Sequence, residues 1–192
     1  MIYGHLLNRS NAAVNQLVCD NLHHDPDSRV LEVGFGGGDL LFRIARGIDG
    51  GRVDGVEVSD EMLANARRKS VRLGLDGIVS VQLAGVDALP FDNAIFDRAC
   101  SVHSIYFWPE LDAGLQELAR VIKPGGLLVL AFSSHSAMIE DGYTDRGFKV
   151  YSRQQVVDTC AQNGFGADSL ITTERPRGGD IYVYRGVRQH ER

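Results

Sequence analysis

Along the chain, short continuous apolar runs take turns with stripes of apolar residues at helical spacing. Val14, Leu17, Val18 and Leu22 share one stripe, which predicts a helix over residues 10–22 with Asn8, Ser10 or Asn11 as its N-cap. Asp25-Pro26-Asp27-Ser28 is a turn, after which residues 29–33 read as a short buried strand and 38–46 as a helix burying Leu41, Ile44 and Ala45. Residues 52–58 form a second strand. Ser59 or Asp60 then caps a helix that runs to about Leu73, where Gly74 stops it. Residues 79–83, 95–102 and 127–132 continue the series of strands, with a loop over 84–94. Before the last of these, Pro109 suits the first turn of a helix whose buried face is Leu111, Leu115, Leu118, Ala119 and Ile122, and Lys123-Pro124-Gly125-Gly126 ends it. Ser152-Arg153-Gln154-Gln155 is a capping box for a helix ending at Asn163-Gly164. Two final strands, 167–174 and 180–187, are joined by a hairpin-length loop over 175–179.

Repeated strand–helix alternation of this kind predicts an α/β domain of Rossmann-like type, a mostly parallel sheet with helices on both faces and right-handed connections. The terminal hairpin must add antiparallel pairing at one edge. In such sheets ligands bind beyond the carboxyl ends of the strands, at the point where strand order reverses. The ends of the first four strands are therefore where chemistry is expected.

Composition narrows the setting. The 192 residues fit a single domain with one full core. A net charge of -5 and a pI near 5.6 argue against a dedicated nucleic-acid or anionic-membrane binder. The three cysteines, Cys19, Cys100 and Cys160, lie far apart and fit no metal-ligand spacing. With no signal peptide legible at the N-terminus, an odd count suggests a reducing, cytoplasmic location. The longest apolar stretch, residues 127–132, is too short to cross a bilayer, so no membrane anchor is expected.

The stretch Val30-Leu31-Glu32-Val33-Gly34-Phe35-Gly36-Gly37-Gly38-Asp39-Leu40-Leu41 organises the rest. Four glycines in the five positions 34–38 are costly unless the backbone needs unusual dihedrals or a ligand must approach it closely. A loop built for phosphate gains little from Glu32, whereas a ligand carrying an ammonium or sulfonium gains much. That points to S-adenosylmethionine, with Glu32, Gly34, Gly36 and Gly38 as candidate cofactor contacts. At the second strand end Glu57 can accept hydrogen bonds from the vicinal hydroxyls of a ribose. Val58 stands beside it, and Met62 either walls the adenine or belongs to the helix core. After the third strand, Asp87 can accept from the exocyclic amine of adenine while the Val86 or Ala88 backbone reads the ring; alternatively Asp87 only shapes the turn. The fourth strand ends in Cys100-Ser101-Val102-His103-Ser104. Backbone carbonyls at Cys100 or Ser101 can hold an ammonium, and Tyr106, Phe107 and Trp108 either wall an acceptor pocket or pack under the next helix.

These residues resemble the class I S-adenosylmethionine-dependent methyltransferases, in particular the group with small-molecule and quinone C-methyltransferases. Glu32 to Gly38 is similar to the E/D-x-G-x-G-x-G motif. Glu57 and Asp87 sit at the ribose and adenine positions, Leu89-Pro90-Phe91 with Phe96-Asp97 resembles the approach to the fourth strand, and Glu117 to Gly126 is similar to E-x-x-R-V-L-K-P-G-G. The resemblance implies a seven-stranded sheet in the order 3-2-1-4-5-7-6 with the last strand antiparallel. It also implies that an N-terminal helical cap (residues 1–24) and a lid (residues 133–151) choose the acceptor. No Asn/Asp-Pro-Pro-Tyr follows the fourth strand, as nucleic-acid amino methyltransferases would require.

The expected activity is methyl transfer to a small-molecule acceptor by in-line displacement, where positioning carries much of the rate. A base is needed only if the acceptor must lose a proton. His103 is the first candidate for that base, unless it merely caps or packs, and His135 is a weaker one. Tyr106 can instead orient an acceptor hydroxyl, and Tyr3 is expected to line the same pocket. One rival is an NAD(P)-dependent oxidoreductase, which the G-x-G-x-G spacing and the lack of Tyr-x-x-x-Lys disfavour. The other is a non-catalytic module that binds the donor without chemistry.

Overall fold

The computed structural model describes residues 2–140, 148–174 and 179–190, with the side chains of 2–10 and of Glu174 left aside. The described elements are α1 (Ile2–Leu22), β1 (Arg29–Val33), α2 (Asp39–Ala45), β2 (Arg52–Glu57), α3 (Asp60–Leu73), β3 (Val79–Leu83), β4 (Phe96–Val102), α4 (Leu111–Val121), β5 (Ile122–Ser133), α5 (His135–Glu140), α6 (Arg153–Gln162), β6 (Phe165–Glu174) and β7 (Asp180–Arg188). Short 3-10 turns cover Val86–Ala88 and Ile105–Phe107. The seven strands lie in the order β3-β2-β1-β4-β5-β7-β6. β7 runs antiparallel to both β5 and β6, and the other neighbouring pairs are parallel. The chain steps from β1 outward to β2 and β3, then returns to β4 on the other side of β1. That reversal puts the switch point between β1 and β4.

Alternation along the strands sorts side chains to two cores. Leu128, Leu130 and Phe132 of β5 join Leu31 and Val33 of β1 under α4, α5 and α6, through Leu115, Leu118, Met138, Val156 and Cys160. The intervening Leu127, Val129, Ala131 and Val30 pack instead against α1, α2 and α3, through Val18, Leu22, Leu41, Ile44 and Leu63. Each such fully buried aliphatic side chain contributes roughly 1.5–3 kcal/mol. The sheet is thus covered on both faces, and its free chemistry is confined to its ends.

Several boundaries differ from the sequence reading for local reasons. α1 begins at Ile2, so positions 8, 10 and 11 lie within the helix and not at its N-terminus. No proline or glycine pair interrupts that segment, and a polar residue inside a helix costs only tenths of a kcal/mol. Pro109 stands outside α4, whose N-cap is Glu110. β5 starts at Ile122, which pairs with Phe96, and the register shifts between Phe96 and Arg98. Lys123-Pro124-Gly125-Gly126 is therefore an irregular entry into the strand, with Gly125 at φ +79°. The capping box at Ser152 and Gln155 forms as expected, each side chain bonding the other's backbone amide. Within the expected lid, α5 is an additional helix, while residues 141–147 lie outside the described residues, as does most of the hairpin loop, 175–178.

Candidate functional site

β1 delivers its chain into the glycine loop at Val33. Gly34 has φ +71° and donates its amide to Val56 O at 2.8 Å, which ties the loop to β2. A Cβ on Gly34 would lie 2.6 Å from Ser104 Cβ, so the segment after β4 is packed directly onto the loop. Phe35 turns inward and is buried over Gly55, where a Cβ would stand 2.7 Å from its ring. Gly38 (φ +71°) caps α2 and donates to Phe35 O at 2.7 Å. Gly36 differs from these. Its φ is +48°, yet a Cβ there would meet nothing within 4 Å among the described residues. The loop is clamped below and beside, and open at Gly36.

Glu57 fastens that open point. Its Oε2 accepts the Gly36 amide at 2.9 Å, and its Oε1 accepts those of Val58 (2.8 Å) and Ser59 (3.1 Å). Ser59 is the cap of α3, accepting from the Met62 amide. Met62 itself is half-buried against the α1–α3 core, and Val58 is 69% exposed. After β3 the Ala84 amide bonds Glu57 O at 3.1 Å. Val86 is then buried while Asp87 and Ala88 face solvent on the 3-10 turn.

A clamp that sequence reasoning left as a mere motif holds this segment. Glu117 accepts the Leu89 amide at 2.9 Å, and Arg120 reaches Leu89 O (3.0 Å), Phe91 O (2.7 Å) and both oxygens of Glu117. The Arg120 guanidinium holds the Glu117 carboxyl below its ordinary range. The i, i+3 spacing of Glu117 and Arg120 on α4 is visible in the sequence, but their reach back to Leu89 and Phe91 is not.

Two carboxyls are buried in the sheet, and they contrast. Asp54, at the opposite end of β2, is 2% exposed and paired with Arg29 at 3.0 Å and Arg52 at 3.2 Å. Glu32 is 3% exposed, and its Oε2 has no hydrogen-bond partner among the described residues. Burial first, then the carboxylates of Asp39 and Glu57, push its pKa up to about 8, against a smaller opposing effect of Lys69. Lys69, also missed from sequence, extends from α3 to 3.5 Å from Gly37 O and stands 4.7 Å from the centre of the Phe42 ring. Its own pKa is lowered, chiefly by burial.

The β4 end carries a second cluster. Ser101 is buried and donates from Oγ to Val33 O at 3.0 Å; the same carbonyl lies 3.3 Å from Ser104 Oγ. The two hydroxyls bond each other, and Trp108 Nε1 donates to Ser104 Oγ at 3.0 Å. Ser101 thus turns its side chain inward to link β4 to the glycine loop. His103 has φ +52° and is half-buried, its Nδ1 3.5 Å from the Tyr106 hydroxyl, with the two rings nearly parallel at 6.3 Å. Tyr106 is 7% exposed, and its hydroxyl accepts the Ser133 amide. The hydroxyl thus stands between the Ser133 amide and the His103 ring. Phe107 is 64% exposed and meets Phe148 edge-on at 4.9 Å, whereas Trp108 is buried. His135 is exposed at the start of α5. The side chain of Tyr3 lies outside the described residues.

The sheet therefore gathers Glu32, Gly34, Gly36, Gly38 and Glu57 at one strand edge, through the register Val33–Val56 and the Gly36–Glu57 bond. His103 and Tyr106 form a neighbouring pair joined to the same loop through Ser104. Val58, Asp87 and Ala88 line the solvent side of this end. Among the described residues there is no cluster of metal-ligating side chains, and no helix is long and apolar enough to cross a membrane.

The family of methyltransferase domains matches residues 31–130. The chain belongs to that family. Its methyl donor is S-adenosylmethionine. The uncharacterized methyltransferase YdaC of Bacillus subtilis is 26% identical over 82% of this chain and 83% of its own length. The ubiquinone/menaquinone biosynthesis C-methyltransferase UbiE of Teredinibacter turnerae is 36% identical over 65% of this chain, which spans only 51% of that protein. In fold the chain resembles the geranyl diphosphate C-methyltransferase of Streptomyces coelicolor A3(2), solved with Mg2+, geranyl diphosphate and S-adenosyl-L-homocysteine. The TM-score is 0.82 at 19% identity, over 95% of this chain and 82% of that one. The residues present suit the donor: an unspent buried carboxyl beneath an open glycine, beside a second carboxylate already anchored by backbone amides.

Proposed function

We propose that the protein transfers a methyl group from S-adenosylmethionine to a small organic acceptor by in-line displacement. The observation that carries this reading is Glu32, a buried carboxyl with one oxygen unpartnered among the described residues, at the foot of a glycine loop whose Gly36 is fixed to Glu57. Such a cradle offers carboxyls beside bare glycine backbone, which suits a cationic adenosyl ligand over a dinucleotide with its phosphates. Glu32 faces the ammonium end; Glu57 takes the ribose hydroxyls; Val58, Met62, Val86, Asp87 and Ala88 flank the adenine; Ser101 secures the loop from behind. When bound, the donor supplies an electrophilic methyl group on a sulfonium.

What the chain itself contributes is position. The Ser101–Ser104–Trp108 network fixes the β4 segment against Gly34, so the pair His103 and Tyr106 is held at one distance from the donor loop. His103 can accept a proton on its ring and release it to solvent, with the Tyr106 hydroxyl beside Nδ1 orienting the ring. Phe107 and Phe148 give the mouth an apolar wall, which favours an acceptor with an aromatic or hydrocarbon body. The likeness to a quinone C-methyltransferase agrees with that chemistry. The N-terminal cap and the segment 133–151 choose the acceptor, and the free thiols Cys19, Cys100 and Cys160 suit a reducing cytoplasm.

The test is turnover of methyl-labelled donor against a panel of phenolic, quinol and isoprenoid acceptors. Transfer to one of them is expected. Failure across the panel, with donor binding intact, would support the non-catalytic module instead. Stabilisation by S-adenosylhomocysteine but not by NADH or NADPH is expected in thermal melts, and the reverse would favour an oxidoreductase.

A further inference from the structure

Glu32 lies on the face of β1 turned toward α1, α2 and α3. The groups set against it are Asp39 of α2, Glu57 of β2, Lys69 of α3 and, one strand over, its register partner Cys100. α1 contributes Asn15, which is neutral and gives its amide to Asp39 Oδ2 at 3.1 Å. Asp39 also has Arg43 at 3.7 Å. Glu57 spends both oxygens on backbone amides. Lys69 is shared with the Gly37 carbonyl and the Phe42 ring. Glu32 is thus the member of this three-carboxyl group that is shut from solvent with an oxygen unpartnered among the described residues, and burying it as an anion in that company is expensive.

We propose that Glu32 is a neutral acid while the donor is absent and a carboxylate once the donor's ammonium faces it, so that donor binding expels a proton from the site. The inference rests on the donor assignment above. In the step, the O–H bond of the Glu32 carboxyl breaks, the proton leaves to buffer, and the charge that remains is neutralised by the incoming ammonium; nothing is oxidised or reduced. The rise of the Glu32 pKa to about 8 agrees with the geometry. Two consequences follow from linkage. Donor affinity climbs by up to about tenfold per pH unit below that value and levels off above it. The site also rejects analogues without a cationic end, because they leave Glu32 neutral and its oxygen unspent.

Calorimetry decides this without any acceptor. S-adenosylhomocysteine, which carries the ammonium but no sulfonium, is titrated into the protein in phosphate and in Tris at the same pH. The dependence of the heat on buffer ionisation enthalpy counts the protons released. The expected count is about 0.9 at pH 7 and about one half at pH 8. Glu32→Gln should bring it close to zero at pH 7. If that variant binds too weakly to measure, the pH series on the unaltered protein carries the test alone. Saturable binding with buffer-independent heat would overturn the inference and leave the donor assignment standing, as would release undiminished in Glu32→Gln. Absence of saturable binding would overturn the donor assignment and this inference with it.

Discussion

The amide of Gly36 donates to Glu57 Oε2 at 2.9 Å, so the open point of the glycine loop and the end of β2 move as one piece. Because Oε1 accepts two further amides, from Val58 and Ser59, each oxygen of this carboxylate faces N–H donors. A glutamine at this position must turn its NH2 toward one of them. Glu57→Gln is accordingly not conservative. Both Glu57→Gln and Glu57→Ala should weaken S-adenosylhomocysteine at least about tenfold in calorimetry, about 1.4 kcal/mol or more. Affinity within twofold of the unaltered protein for both variants would sink this role.

Gly34 and Gly36 both have positive φ but differ in what surrounds them. A methyl on Gly34 would collide with Ser104, whereas one on Gly36 would project into open space. Backbone strain costs each substitution roughly 1–2 kcal/mol. The collision should bring Gly34→Ala to about 2–4 kcal/mol of lost stability, read from urea denaturation. Gly36→Ala should lose little stability beyond the strain and should lose donor affinity more than tenfold, about 1.4 kcal/mol. Equal destabilisation by the two would mean that Ser104 does not interlock with the loop.

The elements that could be read in advance are those whose signal is local. β1 to β4 announce themselves as short stretches rich in buried apolar residues between turn signals, and the Ser152 capping box is written in four consecutive residues. The positions of the glycine loop and of Glu57 at strand ends were legible for the same reason. What could not be read depends on contacts distant in sequence. Ser104 matters because it meets Gly34, and Arg120 because it reaches back to Leu89 and Phe91. Ile122 completes an apolar stripe on α4 and was assigned to it, yet its pairing with Phe96 puts it in β5. The orphan state of Glu32 Oε2 is likewise a property of its surroundings, with no trace in the run Leu31-Glu32-Val33.

His103 sits in a backbone conformation with φ +52°, adjacent to the Tyr106 hydroxyl and joined by its amide to Ala131 O at 2.8 Å. A non-glycine residue held there is strained by of order 1–3 kcal/mol. His103→Ala should lower turnover with the true acceptor at least tenfold while leaving the affinity for S-adenosylhomocysteine nearly unchanged. His103→Gly makes the comparison sharper, because it relieves the strain; it should raise stability relative to His103→Ala and restore no turnover. Full turnover in either variant would remove His103 from the reaction.

Glu32 should cost the empty protein stability in a defined pH window. Its folded pKa of about 8 lies above the ordinary value of 4.5. Below pH 4.5 both folded and unfolded chains hold the proton, and the residue makes no difference to stability. Between the two values the folded chain binds a proton that the unfolded chain has lost, so stability falls as pH rises. Above pH 8 the loss is complete and, at 1.36 kcal/mol per unit, amounts to at most about 5 kcal/mol. Asp97 and Glu117, whose carboxyls are held below their ordinary range, act in the opposite sense and lose their contribution on acidification, but they are common to both proteins being compared. Glu32→Gln should therefore match the unaltered protein near pH 4.5 and exceed it by roughly 2–5 kcal/mol at pH 8 to 9 in urea denaturation. Saturating donor should reverse the order, because the ammonium then compensates the charge that glutamine lacks. Parallel stability curves across that window would show that Glu32 is ionised in the empty site, and the expected trade between stability and donor binding would fail with it.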